Sequence, residues 1–242
     1  HGAGVSTSFE QYKDLYTSLG LDVSYDDLRT QDSASATLKK QRGDFSELSG
    51  TYGFSYDKRN RAFMPTSGSI IKFQQSLPLF ADKSVIANTF SSSIYKTITE
   101  DIIGATKIYL SSIDGIGEDN VRLSKRLSVP SRRLRGFERG KVGPRDGSDH
   151  VGGNHVAALN FEVNLPSLLP ESSKTDIGLF LDFANVWGVD YDTTLPVSSK
   201  LRSSAGVSAS WLSPLGPMSF TFSSNLSKAD TDVTESFNFN LG

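Results

Sequence analysis

Glu162 and Asp182 are the residues best placed by type and spacing to do chemistry. Each is the only carboxylate on the polar side of a segment that alternates apolar and polar residues, "HVAALNFEVNLP" (155–166) and "GLFLDFANVW" (178–187). Upstream lies the densest positive charge, in "SRRLRGFERGKVGPRDGSDHVGGN" (131–154), where Arg132, Arg133 and Arg135 precede Gly136 and Phe137. Two carboxylates can flank a substrate as acid and base, but no nucleophile or cleft-forming sequence accompanies them, so the chain does not read as an enzyme. Two carboxylates can also satisfy one planar guanidinium fork. By residue type alone, the arginines fit such a pairing or a solvated basic patch that touches nucleic acid or lipid.

Other chemistries find less support. There is no cysteine, which removes disulfides, thiolate ligands and thiol nucleophiles. His150 and His155 are spaced i, i+5, a poor ligand spacing on strand or helix, and His1 stands apart, so no metal or cofactor is expected. "DGIGEDN" (114–120) lacks the third glycine and the following helix of a phosphate loop. Asn225-Leu226-Ser227 matches a glycosylation acceptor, a pattern short enough to arise by chance. A net charge of −2 gives no global pull toward nucleic acid or anionic membrane. The first residues show no basic region leading into an apolar core, so no signal peptide is expected.

The elements that must carry these residues are strands. Leu179, Leu181, Phe183 and Trp187 share one face opposite Phe180, Asp182, Ala184 and Val186. Ala157, Leu159, Phe161, Val163 and Leu165 oppose Ala158, Asn160, Glu162 and Asn164. The same period-2 pattern runs through Tyr52–Tyr56, Ile71–Leu79, Met218–Leu226 and Phe237–Leu241, and more weakly through 85–95 and 105–113. Turn signals such as "MPTSG", "SIDGIGEDN" and "SPLGP" separate the runs. About twelve strands are expected, near 20 residues each with its connection, in one domain over residues 1–242. No apolar run reaches the ~18 residues of a membrane helix.

Composition fits a soluble β-sandwich and a membrane barrel equally, and the polar faces separate them. An open surface carries mixed Lys and Glu, whereas these faces carry mostly Ser, Thr, Asn and Gly, as a crowded aqueous lumen would. An antiparallel up-and-down transmembrane β-barrel is therefore expected. Trp187 and Trp211 fit either an interfacial aromatic girdle or core packing.

In order along the chain, "YDKRNRAFMPTSG", "RLRGFERGKVGP", "LNFEVNLP", "FLDFANVW", "SAGVSASWLSPLGPMSFTFS" and "FNFNLG" resemble the C-terminal part of the BamA family of outer-membrane β-barrel assembly factors, over residues 50 to 242. The resemblance implies about twelve strands of a sixteen-strand barrel, without the family's periplasmic polypeptide-binding domains. It implies that the 131–154 loop folds back into the lumen, where Arg135 of the Arg135-Gly136-Phe137 motif meets Glu162 and Asp182 as a latch. It also implies that Phe237, Phe239, Leu241 and Gly242 belong to the terminal strand at the barrel seam. The chain departs from the family pattern in lacking a terminal aromatic and the loop cysteines of some members. The implied role is folding and inserting outer-membrane barrels, with unfolded outer-membrane proteins, accessory assembly lipoproteins and the lipid bilayer as partners, and no nucleic acid. A two-partner-secretion transport pore and the mitochondrial sorting and assembly barrel are related alternatives.

Overall fold

A computed structural model describes residues 1–242 apart from Pro196, Pro214, Leu215 and Gly242. The chain is built from β1 (Gly2–Tyr12), β2 (Leu15–Leu28), β3 (Gly43–Asp57), β4 (Gly68–Ala81), β5 (Val85–Thr99), β6 (Ile102–Gly115), β7 (Arg145–Asp146), β8 (Asp149–His150), β9 (His155–Leu165), β10 (Thr175–Trp187), β11 (Arg202–Ser213), β12 (Gly216–Ser227) and β13 (Phe237–Leu241). Eleven of these form one antiparallel sheet in the order β1-β2-β3-β4-β5-β6-β9-β10-β11-β12-β13. β7 and β8 make a separate two-stranded ribbon inside the long loop, where the sequence shows no periodicity. The wall thus has eleven strands where about twelve are expected, and the ribbon lies in a loop to which the sequence assigns no strand. The "SPLGP" turn falls partly on Pro214 and Leu215, outside the described residues.

The barrel wall begins well before residue 50. β1 and β2 pair from Gly2↔Ser24 to Tyr12↔Leu15, and β2 pairs onward with β3. Among the described residues β1 and β13 do not pair with each other, so the sheet has two edges.

Side-chain alternation decides which face is which. On β10 the even-numbered residues from Asp176 to Val186 are buried, while Leu179 is 49% exposed and Trp187 lies at the surface. Phe161, Val207, Phe222 and Phe237 continue this apolar surface along neighbouring strands. An apolar outer face and a polar inner face are what a lipid-embedded barrel requires.

The dimensions agree. Thirteen residues of β10 at ~3.3 Å each extend about 43 Å. Tilted ~40°, they project to about 33 Å, enough to cross a ~30 Å hydrocarbon core. Trp187 ends β10, and Trp211 on β11 pairs with Thr175 at its start. The two indoles therefore sit at opposite ends of one hairpin on the outer face, the girdle arrangement rather than core packing.

At the Trp211 end β1–β2 and β5–β6 are joined by tight turns but β3–β4 and β9–β10 by longer segments; at the Trp187 end β4–β5 is a short turn and the other connections are long. The longest connection, 116–154, turns inward and fills the concave side. Its Val129, Leu134, Phe137 and Val142 form a buried cluster with Val156 and Ala158 of β9 and Ala184 and Val186 of β10. The same loop reaches Glu47 on β3 and Asn225 on β12. Beneath it a cavity of about 360 Å³ touches the β3–β4 turn, β5, β6 and each later wall strand through β13, so the sheet is curled around its contents.

Candidate functional site: the luminal latch

Strand register builds the site before any loop residue enters it. Lys107 pairs with Asn160, Asn160 with Asp182, Asp182 with Ser204, and Ser204 with Asn225. These residues belong to β6, β9, β10, β11 and β12, and they form one row across the wall. Asn160, Asp182 and Ser204 are 0% exposed. Such a row of short polar side chains is costly to bury unless partners satisfy it.

The loop main chain supplies those partners, running across the strands along the row. Asn160 Nδ2 donates to the carbonyl of Arg133 (2.8 Å) and to Asp182 Oδ1 (2.8 Å). The Arg135 N–H donates to Asp182 Oδ2 (3.1 Å). Ser204 Oγ donates to the Arg135 carbonyl, and Asn225 Nδ2 to the Gly136 carbonyl at 2.7 Å. Each successive strand thus holds the next part of residues 133–136.

The Arg135 side chain completes the arrangement. Nε and Nη2 form a two-pronged contact with Asp182 at 2.8 and 2.7 Å, and Nη2 lies 3.0 Å from Glu162 Oε1. Glu162 pairs in register with Phe180, and the guanidinium lies 3.7 Å from the Phe180 ring centroid. Lys107 bonds the other oxygen of Glu162. A confined guanidinium therefore has two carboxylates, a ring face and a strand wall around it, which offsets its desolvation. Arg133 stacks 5.5 Å from the Tyr109 ring.

Gly136 is at φ +88, where any other L residue is strained, and a Cβ there would lie 2.9 Å from Ser223 Oγ. Phe137, 2% exposed, points into the apolar cluster. The structure thus brings together Arg135, Gly136, Phe137, Glu162 and Asp182. It places Phe237, Phe239 and Leu241 apart from them on β13, with Phe237 and Phe239 exposed and packed on Phe222 and Phe220. Gly242 lies outside the described residues. His150 bonds the Thr231 carbonyl, and His155 packs on Trp187.

Several site residues have no sequence signal of their own. Lys107, Asn160, Ser204 and Asn225 gain meaning only from register, and Arg122 only from where its loop lands. Arg122, 4% exposed, bonds Glu47 at 2.6 Å and stacks on Phe45, while Lys125 lies 2.9 Å from the same carboxylate. Arg126 bonds Asp190 at the base of the loop. Among the described residues no cluster of side chains suits a metal ion.

The fold matches known proteins. A crystal structure of BamA from Haemophilus ducreyi lacking POTRA domains 1–3 superposes with a TM-score of 0.85 at 24% identity, covering 98% of this chain and 53% of that one. Outer membrane protein assembly factor BamA of Neorickettsia risticii is 24% identical over 99% of this chain and 33% of its own length. BamA of Neisseria meningitidis is 27% identical over 80% of this chain and 28% of its own length. The chain thus spans about a third of the length of these curated relatives. The family model for the Omp85 superfamily domain matches residues 1–242, including the two strands ahead of residue 43, and the chain belongs to that superfamily.

Proposed function

We propose that this chain is the barrel portion of an assembly factor that folds and inserts β-barrel proteins into the bacterial outer membrane, without covalent chemistry. The observation that carries the reading is the similarity to BamA along 99% of the chain, in a fold with the same wall. Unfolded outer-membrane proteins are the clients, the lipid bilayer is the solvent of the outer face, and accessory assembly lipoproteins are partners of the complete protein.

The physics of the activity lies at a strand edge. An unpaired N–H or C=O in hydrocarbon cannot turn to water, so an exposed edge strongly favours pairing with an incoming strand. Addition of a strand at such an edge is β-augmentation. Among the described residues β13 is one edge of this sheet, paired with β12 over Met218–Phe222. Arg135, held by Asp182 and Glu162, braces the wall from inside so that the edge can open while the lumen stays organised.

The test is reconstitution. The complete protein in liposomes should convert a urea-unfolded outer-membrane client into a protease-resistant, heat-modifiable band faster than empty liposomes do. Equal rates would refute the assembly reading. Delivery of an unfolded polypeptide into the vesicle interior, with large single-channel conductance, would replace it with the transport pore.

A further inference from the structure

A buried ion pair outside the latch stands at the approach to the terminal strand. The side chains of Arg202 and Asp232 are both 0% exposed. The Asp232 carboxylate accepts from four donors: Arg202 Nε (2.9 Å) and Nη2 (3.1 Å), the Ala229 N–H (2.7 Å) and the Gly143 N–H (3.3 Å). Arg202 Nη1 donates to Asn185 Oδ1 and to the Lys200 carbonyl. One pair therefore joins the end of β10, the start of β11, the β12–β13 connection and the luminal loop. Gly143 can approach this closely because it has no side chain: it is at φ +103, and a Cβ there would lie 2.3 Å from Val186 Cγ1.

Beside the pair, loop and connection hydrogen-bond through their main chains. Phe137 and Thr234 form an antiparallel bridge. The Glu138 N–H donates to the Val233 carbonyl (3.0 Å), the Glu235 N–H to the Gly136 carbonyl (3.1 Å), and the Val233 N–H to the Lys141 carbonyl (3.0 Å). The residue that bears the positive φ of the latch, Gly136, is thus also bonded to Glu235. β13 starts two residues later, at Phe237. Among the described residues β13 has one strand neighbour and five register pairs, against ten for β11 on β10. A short strand held on one side frays readily unless its first residues are fixed.

We propose that this clasp, pinned by Arg202 and Asp232, holds the first turn of the approach to β13 and so sets how far the terminal strand frays. Arg202 and Asp232 are positioning residues for the seam strand, and they link the luminal loop to the edge. The functional consequence rests on β13 being half of the working seam, as in the reading above. Releasing the clasp exposes N–H and C=O groups of β12 and β13 for a client strand, while the latch on β9 and β10 remains docked.

Hydrogen–deuterium exchange on the complete protein in lipid nanodiscs tests this directly. Asp232→Asn turns one acceptor oxygen into a donor that faces N–H groups. It should speed exchange across 237–241 at least tenfold and leave β9 and β10 unchanged. Unchanged exchange at 237–241 in the folded variant, or equal acceleration in every strand, would overturn the proposal. Wild-type protein provides the second measurement, independent of whether the variant folds. With rising urea, the amides of Glu138, Val233 and Glu235 should open together with β13 and before β9. Opening of β13 while those three stay protected would overturn the clasp. Assembly in liposomes is scored separately: selective β13 release with no assembly by wild type leaves the clasp standing and removes only the seam reading.

Discussion

The luminal loop grips two parts of the barrel wall in different ways. On β9 to β12 it is held along its main chain, with Asn160, Asp182, Ser204 and Asn225 bonding successive groups of residues 133–136. On β2 and β3 the attachment is by side chains: Arg122 and Lys125 to Glu47, and Ser124 to Asp26. A main-chain grip fixes the path of the loop and its register against the strands. A side-chain attachment is a tether, whose length rotamers can change. The incomplete satisfaction of Arg122 fits this contrast, since its buried Nε makes no hydrogen bond among the described residues. The β9–β12 wall is therefore the rigid one, and the β2–β3 side can yield first.

Breaking the rigid grip should have the largest effect. Among the described residues Arg135→Ala leaves buried Asp182 with Asn160 and one backbone N–H as partners, and loss of one partner from a buried pair costs on the order of 3–5 kcal/mol. The expected outcome is a clear fall in the temperature at which the fast-migrating folded band converts on gels, together with reduced client assembly. Unchanged heat stability would show that the row, rather than the guanidinium, holds the loop. Gly136→Ala keeps every charge but forces a side chain into a positive φ and against Ser223. Such strain costs of order 1–3 kcal/mol. The same gel assay should place it below wild type and above Arg135→Ala.

What could be read from sequence divides along the same line. Glu162 and Asp182 were accessible because each is a charge on a strand whose period-2 alternation assigns it to the polar face. Arg135 lies in a loop without periodicity, and its pairing with them is implied only by the family resemblance of the Arg135-Gly136-Phe137 motif. The row that holds the main chain was not accessible. Lys107, Asn160, Ser204 and Asn225 lie on four strands, and a one-residue slip between any two would turn one of them outward. Arg202 and Asp232 are likewise joined by the folding of two connections, which have no periodicity to read. β1 and β2 are a different case. Leu19, Leu21, Val23 and Tyr25 alternate and are all exposed on the outer face, a pattern that periodicity could have found. The Arg122 tether was hidden because nothing local says that a loop after β6 returns to β3.

The tether supplies the next smaller effect. Glu47→Gln keeps an acceptor but removes the charge that Arg122 and Lys125 share, and loss of a charge-assisted bond of this kind costs about 1–2 kcal/mol. Exchange should quicken in residues 121–127 and stay slow in 133–137. Equal quickening of both stretches would mean that the two grips form one cooperative unit, and the contrast between walls would fail.

The smallest effect separates the base of the loop from both grips. Asp190 lies in the connection after β10. Burial pushes its carboxyl up, but hydrogen bonds from the Val121 N–H, Arg126 and Asn154 more than reverse this and hold it below the usual carboxylate range. A carboxyl depressed in the folded state contributes stability above its unfolded value, near pH 4, and that contribution is lost as pH falls through the folded value. Asp190 is only partly buried, so solvent screening keeps the effect small. Asp190→Asn should lower the unfolding midpoint at pH 7 by about 2 °C, with the gap to wild type closing below roughly pH 4. A gap that persisted in acid would assign the loss to hydrogen-bond geometry rather than charge. A gap as large as that of Arg135→Ala would move the main anchor of the loop from the β9–β12 row to its base.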